Sequence, residues 1–569
     1  MGGDGGKIAN PCGGYLRFVK SVFHPTAELL AQRCQQAGIA AWISSPGSRH
    51  APLVQAFGKW DACPHAVLLD ERSAGYFALG AALEWERPVV VLCTSGTAAL
   101  NFGPAAAEAF YRRLPLIFIT ADRPKAHIDH GHGQSVRQED FLSQHVATHV
   151  VLEEDQERNS EEESRALFDR NAKKIDVALR AAWSEGPVHI NMPFQEPLYG
   201  SVTFPDSWIL PSFALPQKLK PEPIPPSLLS AVQQANCVWV VVGQSIVSMG
   251  VKRADWLLEW MQKDARLRVI AEPLANLGEG PWTTPDTALL CAEKGEWPQV
   301  LLTLSGAFVS KKFRSKIQAS PLVHWHLGTE KIAPNQFDCL VGRWNTEEPW
   351  SLSASARSEH TPASQKIESE PAASVAKSVS DQDLTDEGVY AYLLQQVPKD
   401  TRLHVTNSTA IRYMNALDAP GHPLRRARVE CNRGASGIDG CTSTAVGMNW
   451  ASNNQSTWLL SGDLAFFYDA NGLFHPHVGT NFVAFVINNG GGSIFRMIDG
   501  PASTGRLEQD FVAAHQRSVL PLAAGFGCEV FSVRNAEELV AIVHRIRKEP
   551  GKSPRVVEII TDPQVSENV

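Results

Sequence analysis

The sequence predicts an α/β protein built from three Rossmann-like, doubly wound domains with parallel sheets. Three observations lead there. Short β-branched runs alternate with helical patterns along most of the chain, at 66–69, 89–93, 116–120 and 188–191 in the first third, and this alternation builds βαβ units around a parallel sheet. A chain of 569 residues exceeds what one hydrophobic core supports. Two stretches break the pattern: a Pro-rich link at 215–226, and residues 351–383, rich in Ser, Ala, Glu and Lys and poor in large apolar side chains. The expected boundaries are therefore a flexible tail at 1–19, domains at 20–203, 204–350 and 384–569, and an exposed linker at 351–383.

Composition narrows the function. A formal net charge of -8 and a pI near 6.2 argue against a nucleic-acid-binding surface. No apolar run approaches the roughly 20 residues that span a bilayer. The N-terminal stretch has no apolar h-region, so a secretory signal is not expected. Ten cysteines are scattered without a CxxC pair, which suits reduced thiols in the cytoplasm better than a disulfide framework or a zinc site.

In chain order, 26–38 reads as a helix ended by Gly38, followed by a strand at 40–43 and the turn Ser44-Ser45-Pro46-Gly47-Ser48-Arg49. The charge-rich run 153–165 reads as a solvated helix face. In the second region, strands are expected at 237–242, 268–271 and 300–304, with a helix near 252–263. VVVGQS (240–245) lacks the GxGxxG spacing, so no dinucleotide site is expected there. In the third region a helix at 388–396 and a strand at 403–406 precede the NRGASGIDG loop, and a helix at 536–547 and a strand at 556–560 close the chain. No short-period repeat is visible, yet the outer regions can still be a diverged duplication.

The third region also carries the chemistry. An apolar strand at 458–460 stops at Ser461-Gly462-Asp463, and a second strand at 482–487 stops at Asn488-Asn489 and three glycines. An Asp at one strand end and an Asn at the next suit a hard cation with oxygen ligands. The glycines let backbone groups approach a diphosphate. In the first region Asp70-Glu71 follow a strand and open a helix. Taken alone they read as a cap and a dipole complement. Beside a diphosphate motif, a buried Glu71 becomes a candidate for proton traffic. Of the histidines in HIDHGHG, His127, His130 and His132 fit an exposed loop better than a metal site.

The motifs SPGSRHAPL, LLDERSAGYFALG, CTSGTAALN, ITADRP, GQSVRQ, NMPFQEPLYG, CNRGASGIDG and SGDLAFFYD together resemble the thiamine-diphosphate-dependent 2-succinyl-5-enolpyruvyl-6-hydroxy-3-cyclohexene-1-carboxylate synthase family of menaquinone biosynthesis. The resemblance implies pyrimidine-binding, central and diphosphate-binding domains of the thiamine-diphosphate-binding fold, working as a homodimer or a dimer of dimers. It implies a transferase that decarboxylates 2-oxoglutarate and adds the resulting enamine to isochorismate. Glu71 would activate the cofactor. Asp463, Asn489 and the Gly491 carbonyl would ligate Mg2+ or Mn2+, Gly462 and Leu464 would line the diphosphate, and Ile438 would brace the bent cofactor. Substrate contacts would come from Ser48, Arg49, Arg123, Gln134, Lys311, Ser408, Arg412 and Arg433, with Ile494 and Phe495 as an apolar wall. Planar guanidinium forks suit the carboxylates of both substrates. Lys312 stands where the family pattern has Arg, and it keeps the charge without the fork. Two alternatives remain open: another thiamine-diphosphate 2-oxoacid decarboxylase or acetolactate-type synthase, and a catalytically silent homologue.

Overall fold

The computed structural model describes residues 21–22, 24–155, 160–202, 208, 212–216, 222–329, 334–346, 349, 351–355 and 384–562. The expected tail at 1–19 and most of the expected linker lie outside them. By internal contacts the chain forms two units: Met1–Ala78 with Arg87–Pro216, and Leu79–Glu86 with Gln217–Val569.

In the first unit a short parallel pair joins β1 (Ser21–Val22) to β8 (Ser201–Val202). The main sheet holds β2 (Ala41–Ser44), β3 (His65–Val67), β4 (Val89–Cys93), β5 (Leu116–Asp122), β6 (Thr148–Val151) and β7 (Val188–Pro193), in the order β3-β2-β4-β5-β7-β6. Every pairing in it is parallel. Of the charge-rich run only 161–165 is helical among the described residues, and Asp155 is instead buried, accepting from Thr26 N (3.0 Å) and Thr26 Oγ1 (2.6 Å). Ser160 caps helix Glu161–Ser184 by accepting from the Glu163 N–H, and Glu161, Glu162 and Glu163 fill the first turn, where the helix dipole favours anions.

The second unit contains two sheets. The central one runs β10-β9-β11-β12-β13, with β9 (Val238–Val242), β10 (Leu267–Ala271), β11 (Val300–Leu304), β12 (Val323–Leu327) and β13 (Leu340–Trp344). β9 and β11 are buried along their whole length, which is why they read as apolar runs, whereas the edge strand β13 alternates and leaves Val341 exposed. Val238, Val240 and Val242 enter one core cluster, and Trp239 and Val241 the other. Leu352, in the short helix Ser351–Ser355, is buried in the first of these clusters, so the polar stretch expected from 351 begins with an anchored residue. The last sheet holds β14 (Arg402–Val405), β15 (Arg428–Glu430), β16 (Thr457–Gly462), β17 (Phe482–Asn488), β18 (Glu529–Val533) and β19 (Arg555–Ile560), in the order β15-β14-β16-β17-β19-β18.

Numbered within themselves, the first and last six-stranded sheets share one order, 2-1-3-4-6-5. The duplication that leaves no repeat in the sequence is therefore present in the topology. In each sheet the chain leaves its first strand in one direction and its third in the other. That switch point opens a crevice at the carboxyl ends of the strands. It falls after β2 and β4 in one sheet, and after β14 and β16 in the other. Among the described residues no helix is long and apolar enough to cross a membrane.

Residues 79–86 close helix Glu71–Trp85 and pack within the second unit. Glu84 receives Arg402 Nη2 at 2.7 Å and Arg428 Nη1 at 3.0 Å. Helix Cys441–Ala451 passes so near that a Cβ on Gly80 would lie 2.0 Å from the Thr444 carbonyl oxygen and 2.9 Å from the Met448 nitrogen. Gly80→Ala would gain about 1 kcal/mol of helix propensity, but it forces two backbones apart, and overpacking costs about 1–3 kcal/mol or more. The clash should win. Urea unfolding of Gly80→Ala should show a net loss of about 2 kcal/mol, and a midpoint equal to or above the wild type would contradict this packing.

Candidate active site

The first unit gathers its polar groups at the carboxyl ends of β2, β4, β5 and β7. Asp70 Oδ1 accepts the N–H groups of Arg72 (2.9 Å) and Ser73 (3.2 Å), so Asp70 caps the helix that Glu71 opens. Glu71 is half-buried. Burial raises its pKa, with the Asp70 charge adding to the shift and a backbone hydrogen bond opposing it. Arg49 is 4% exposed. Its Nη1 donates to the Phe194 carbonyl (3.1 Å) and its Nη2 lies 3.1 Å from Glu196 Oε1. Burial first, then the nearby Arg123 charge, holds the Arg49 guanidinium below its ordinary pKa. Two like charges are thus held together in a partly dry place. Arg49 Nε and Arg123 Nε are buried and have no hydrogen-bond partner among the described residues. Ser48 and Gln134 are exposed. Gln134 has φ of +54° and lies over Gly96, whose added Cβ would approach Gln134 Cα to 3.1 Å.

Beneath these residues runs a buried polar chain that the sequence did not reveal. Thr120 Oγ1 lies 2.8 Å from His189 Nε2 and donates to Asn191 Oδ1 (2.8 Å). Asn191 Nδ2 donates to Asp122 Oδ2 (2.8 Å). Gln138 Nε2 donates to Asn191 Oδ1 and to the Ala121 carbonyl (both 2.9 Å), while its Oε1 accepts from Gly96 N (3.1 Å). Burial raises the Asp122 pKa to about 6, against the lowering effect of its Asn191 and Arg123 N–H bonds. This chain ties the Gly96 turn, the 134–138 segment and Arg123 to the sheet.

In the second unit the expected cation and diphosphate residues do meet. Gly462 pairs with Ile487 in the β16–β17 ladder, so Asp463 and Asn489 leave neighbouring strand ends. Asp463 is 2% exposed. Its Oδ1 accepts from Leu464 N (2.6 Å), its Oδ2 from Gly491 N (3.0 Å), and His515 Nε2 lies 3.3 Å from Oδ2. Burial raises the Asp463 pKa to about 6, and these donors hold it from going higher. Asn489 Nδ2 donates to Asp386 Oδ2 (2.7 Å), and Asp386 Oδ1 accepts from Thr561 Oγ1 (2.6 Å). The amide is thereby oriented with Oδ1 left as its acceptor. Gly490 and Gly491 take φ of +76° and +147°, and a Cβ on Gly491 would lie 2.7 Å from the Val512 carbonyl oxygen. Only glycine fits there. The donor set is one carboxylate, one amide oxygen and main-chain groups, which suits a hard divalent cation. Among the described residues no group of three His, Cys, Asp or Glu side chains is arranged for a metal. His127 and His132 instead stack with ring centroids 4.1 Å apart.

The anion-binding candidates of this unit lie around the switch point. Ser408 has φ of +76° and ψ of -128°, a strained conformation for a non-glycine residue worth roughly 1–3 kcal/mol. Its carbonyl accepts from Arg412 Nη1. Burial, then the neighbouring Arg433 charge, lowers the Arg412 pKa. Arg433 Nε is buried without a partner among the described residues. Ile438 is half-buried in the loop after β15, as are Leu464, Ile494 and Phe495 in their own segments, and Phe495 meets the Phe511 ring at 5.8 Å. Lys311 opens helix Lys311–Gln318 behind the cap Ser310. Glu272, fully buried, accepts from Val309 N (2.7 Å) and Ser310 N (2.8 Å). Its pKa rises to about 7 by burial, partly offset by those bonds and by the Arg433 and Arg314 charges. Lys312 is 71% exposed and lies 4.0 Å from Asp286, a surface pair of little weight.

The chain is similar to known proteins in sequence and fold. Profiles described as "Thiamine pyrophosphate enzyme, N-terminal TPP binding domain" and "Thiamine pyrophosphate enzyme, C-terminal TPP binding domain" match residues 25–143 and 426–559. The 2-succinyl-5-enolpyruvyl-6-hydroxy-3-cyclohexene-1-carboxylate synthase of Christiangramia forsetii is 32% identical over 96% of this chain and 97% of its own. The protein of that name from Porphyromonas gingivalis is 33% identical over 90% of each chain. That from Desulfotalea psychrophila is 32% identical over 94% of this chain and 98% of its own. A solved structure from Mycobacterium smegmatis, described as a thiamin diphosphate-dependent enzyme, superposes with a TM-score of 0.67 at 15% identity. It covers 95% of this chain and 100% of that one, a likeness of fold alone.

The buried chain beneath Arg123 can be tested directly. Asn191→Ala removes the donor to Asp122 and one acceptor each from Thr120 and Gln138. It should cost about 2–4 kcal/mol of unfolding free energy, because buried polar groups lose partners without regaining water. Urea denaturation within about 0.5 kcal/mol of the wild type would show that the network is not satisfied as described.

Proposed function

Because the chain belongs to the 2-succinyl-5-enolpyruvyl-6-hydroxy-3-cyclohexene-1-carboxylate synthase family and carries thiamine-diphosphate-binding domains in both outer regions, we propose that it decarboxylates 2-oxoglutarate and joins the remaining four-carbon fragment to isochorismate. The product is 2-succinyl-5-enolpyruvyl-6-hydroxy-3-cyclohexene-1-carboxylate, a menaquinone precursor, with CO2 released. In this reading 20–203 binds the pyrimidine, 384–569 binds the diphosphate, and 204–350 is the central domain. Free, scattered thiols among the described residues fit a reducing cytoplasm.

The observation that carries the reading is the strand-end arrangement of Asp463, Asn489 and Gly491. Asp463 and Asn489 would hold Mg2+ or Mn2+ with the Gly491 carbonyl, and Gly462 and Leu464 would border the diphosphate. Thiamine diphosphate, when bound, would supply a nucleophilic thiazolium carbon and an electron sink for decarboxylation. The chain's own residues do the rest. Glu71, its pKa raised by burial, holds or shares a proton with the pyrimidine ring. Ile438 braces the cofactor, and Ile494 with Phe495 keeps water from the reacting carbon. Arg412, with Arg433 and Ser408, receives the 2-oxoglutarate carboxylates. Arg49 and Arg123, with Ser48 and Gln134, face isochorismate, and Lys311 adds charge from the central domain. The working unit is a homodimer or a dimer of dimers, in which Glu71 of one copy serves the cofactor held by Asp463 of another.

Incubation with thiamine diphosphate, Mg2+, 2-oxoglutarate and isochorismate should give the product identified by mass, and its absence overturns the reading. Glu71→Gln keeps a hydrogen bond but passes no proton, so turnover should fall by about 10²–10⁴-fold. Asp463→Ala should lose cofactor retention on calorimetry. Mixing the two inactive variants, with subunit exchange verified, should restore part of the activity. No recovery would point to sites built within single chains.

The cation site also predicts a pH dependence. A proton on Asp463 competes with the metal, and the carboxyl titrates near 6. Calorimetric affinity for thiamine diphosphate with Mg2+ should be flat above pH 7 and fall by up to about tenfold per pH unit below 6. A flat profile down to pH 5 would count against Asp463 as the ligand.

A further inference from the structure

At the switch point of the last sheet, one side chain uses its whole hydrogen-bonding capacity on the loop that presents Arg433. Asn407 follows β14, precedes the strained Ser408 and is 4% exposed. Its Nδ2 donates to the carbonyl oxygens of Asn432 (2.5 Å) and Gly437 (2.7 Å). Its Oδ1 accepts from Arg433 Nη1 (3.0 Å) and Cys431 Sγ (3.4 Å). An asparagine amide has two donor hydrogens and two acceptor lone pairs, and all four are engaged within 431–437. The loop also has ties at its flanks, from Gln244 Nε2 to the Cys431 carbonyl (2.7 Å) and from Cys441 Sγ to the Gly437 carbonyl (3.8 Å). Its residues 435–436 are exposed, and Ser436 takes φ of +63°. Asn432 is tied onward by its Nδ2 to Thr444 Oγ1 (3.0 Å). Gly437 is the residue before Ile438.

We propose that Asn407 is the positioning residue of this site: it staples both ends of the 432–437 loop to the end of β14 and so fixes Arg433 for a substrate carboxylate. Aspartate would keep the acceptor for Arg433 but set an oxygen against two carbonyl oxygens. Serine or alanine would leave both carbonyl oxygens without their amide donor. Glutamine would carry the same amide one carbon too far. The inference rests on the reading of Arg412 and Arg433 as the 2-oxoglutarate site, and it adds a residue that acts only through them.

The test combines a readout that needs no substrate with one that does. In hydrogen–deuterium exchange, the amides of 432–440 should exchange about tenfold or more faster in Asn407→Ala than in the wild type, with β14 and β16 unchanged. Arg433→Ala should leave them within about twofold, since both Nδ2 bonds remain. In turnover, Asn407→Ala should raise KM for 2-oxoglutarate about 10- to 100-fold, while the Kd for thiamine diphosphate with Mg2+ moves by less than about threefold. Adding Asn407→Ala to Arg433→Ala should then raise KM little further, because the two act in series. Unchanged loop exchange, or KM losses that multiply in the double variant, would overturn the proposal. If Asn407→Ala does not fold, Asn407→Asp takes its place, with the same faster loop exchange expected and the same unchanged exchange fatal. If the wild type does not consume 2-oxoglutarate, the functional reading falls, and the exchange arm still decides the role of Asn407.

Discussion

The last sheet depends on one buried carboxylate held by main-chain N–H groups. Asp463 at the end of β16 accepts from Leu464 N and, across to the next strand end, from Gly491 N. Bridging two strand ends requires the chain after β17 to turn at once, and Gly490 and Gly491 supply the two positive φ values in succession. The turned backbone is then covered by the returning segment, through Gly492 N to the Val512 carbonyl and His515 N to the Gly490 carbonyl. The N–H groups of Gly490, Gly491 and Gly492 are all paired, as a buried turn requires. Asn489, caught between the two turns, is oriented by Asp386, whose other oxygen is held by Thr561. The site is rigid because each oxygen that could meet a cation is already fixed by a neighbour.

The common strand order of the outer sheets explains why chemistry gathers where it does. A crevice at the switch point follows from topology before any side chain is chosen. The two copies furnish it differently. In the first sheet the crevice ends carry Arg49 after β2 and the Gly96 turn after β4. In the last they carry Asn407 and Ser408 after β14 and Asp463 after β16. One architecture thus places a half-buried Glu71 beside the first sheet and a buried Asp463 at a strand end of the last.

Much of this was legible in the sequence, and the limits have a physical pattern. The β-branched runs of β4, β5, β9 and β11 announced parallel strands because both of their faces are covered. β12, with the sequence VHWHL, escaped notice because two histidines interrupt it. In the fold, His324 Nε2 and His326 Nδ1 both bond Thr303 Oγ1 (2.9 and 3.0 Å), a compensation invisible along the chain. β13 escaped likewise, through Gly342, where a Cβ would meet the Trp325 ring at 2.6 Å. At the site, Asp463, Asn489 and Gly491 were readable because they form local motifs at strand ends. Asn407, Glu272 and Asp386 were not, since each is defined by partners far along the chain, and Gln138, although inside GQSVRQ, bonds Asn191 and Gly96, which lie outside that motif.

The arginines show what such a site demands of the free protein. Arg49 lies near Arg123, and Arg412 near Arg433, with burial and the like charge both lowering the pKa of Arg49 and of Arg412. Nε of Arg49, Arg123 and Arg433 is buried without a partner among the described residues. The carboxylate that pairs with Arg49, Glu196, is 66% exposed, and an exposed ion pair returns at most about 1 kcal/mol. The chain is anionic overall, so these clusters run against its net charge and persist because the surrounding network over-determines them. A ligand with two carboxylates would satisfy both charges of a pair. A 2-oxo acid with only one would bury a guanidinium still unpaired. Leaving a charged donor unsatisfied costs more than a missing methylene group does, so discrimination arises from what the wrong ligand fails to complete.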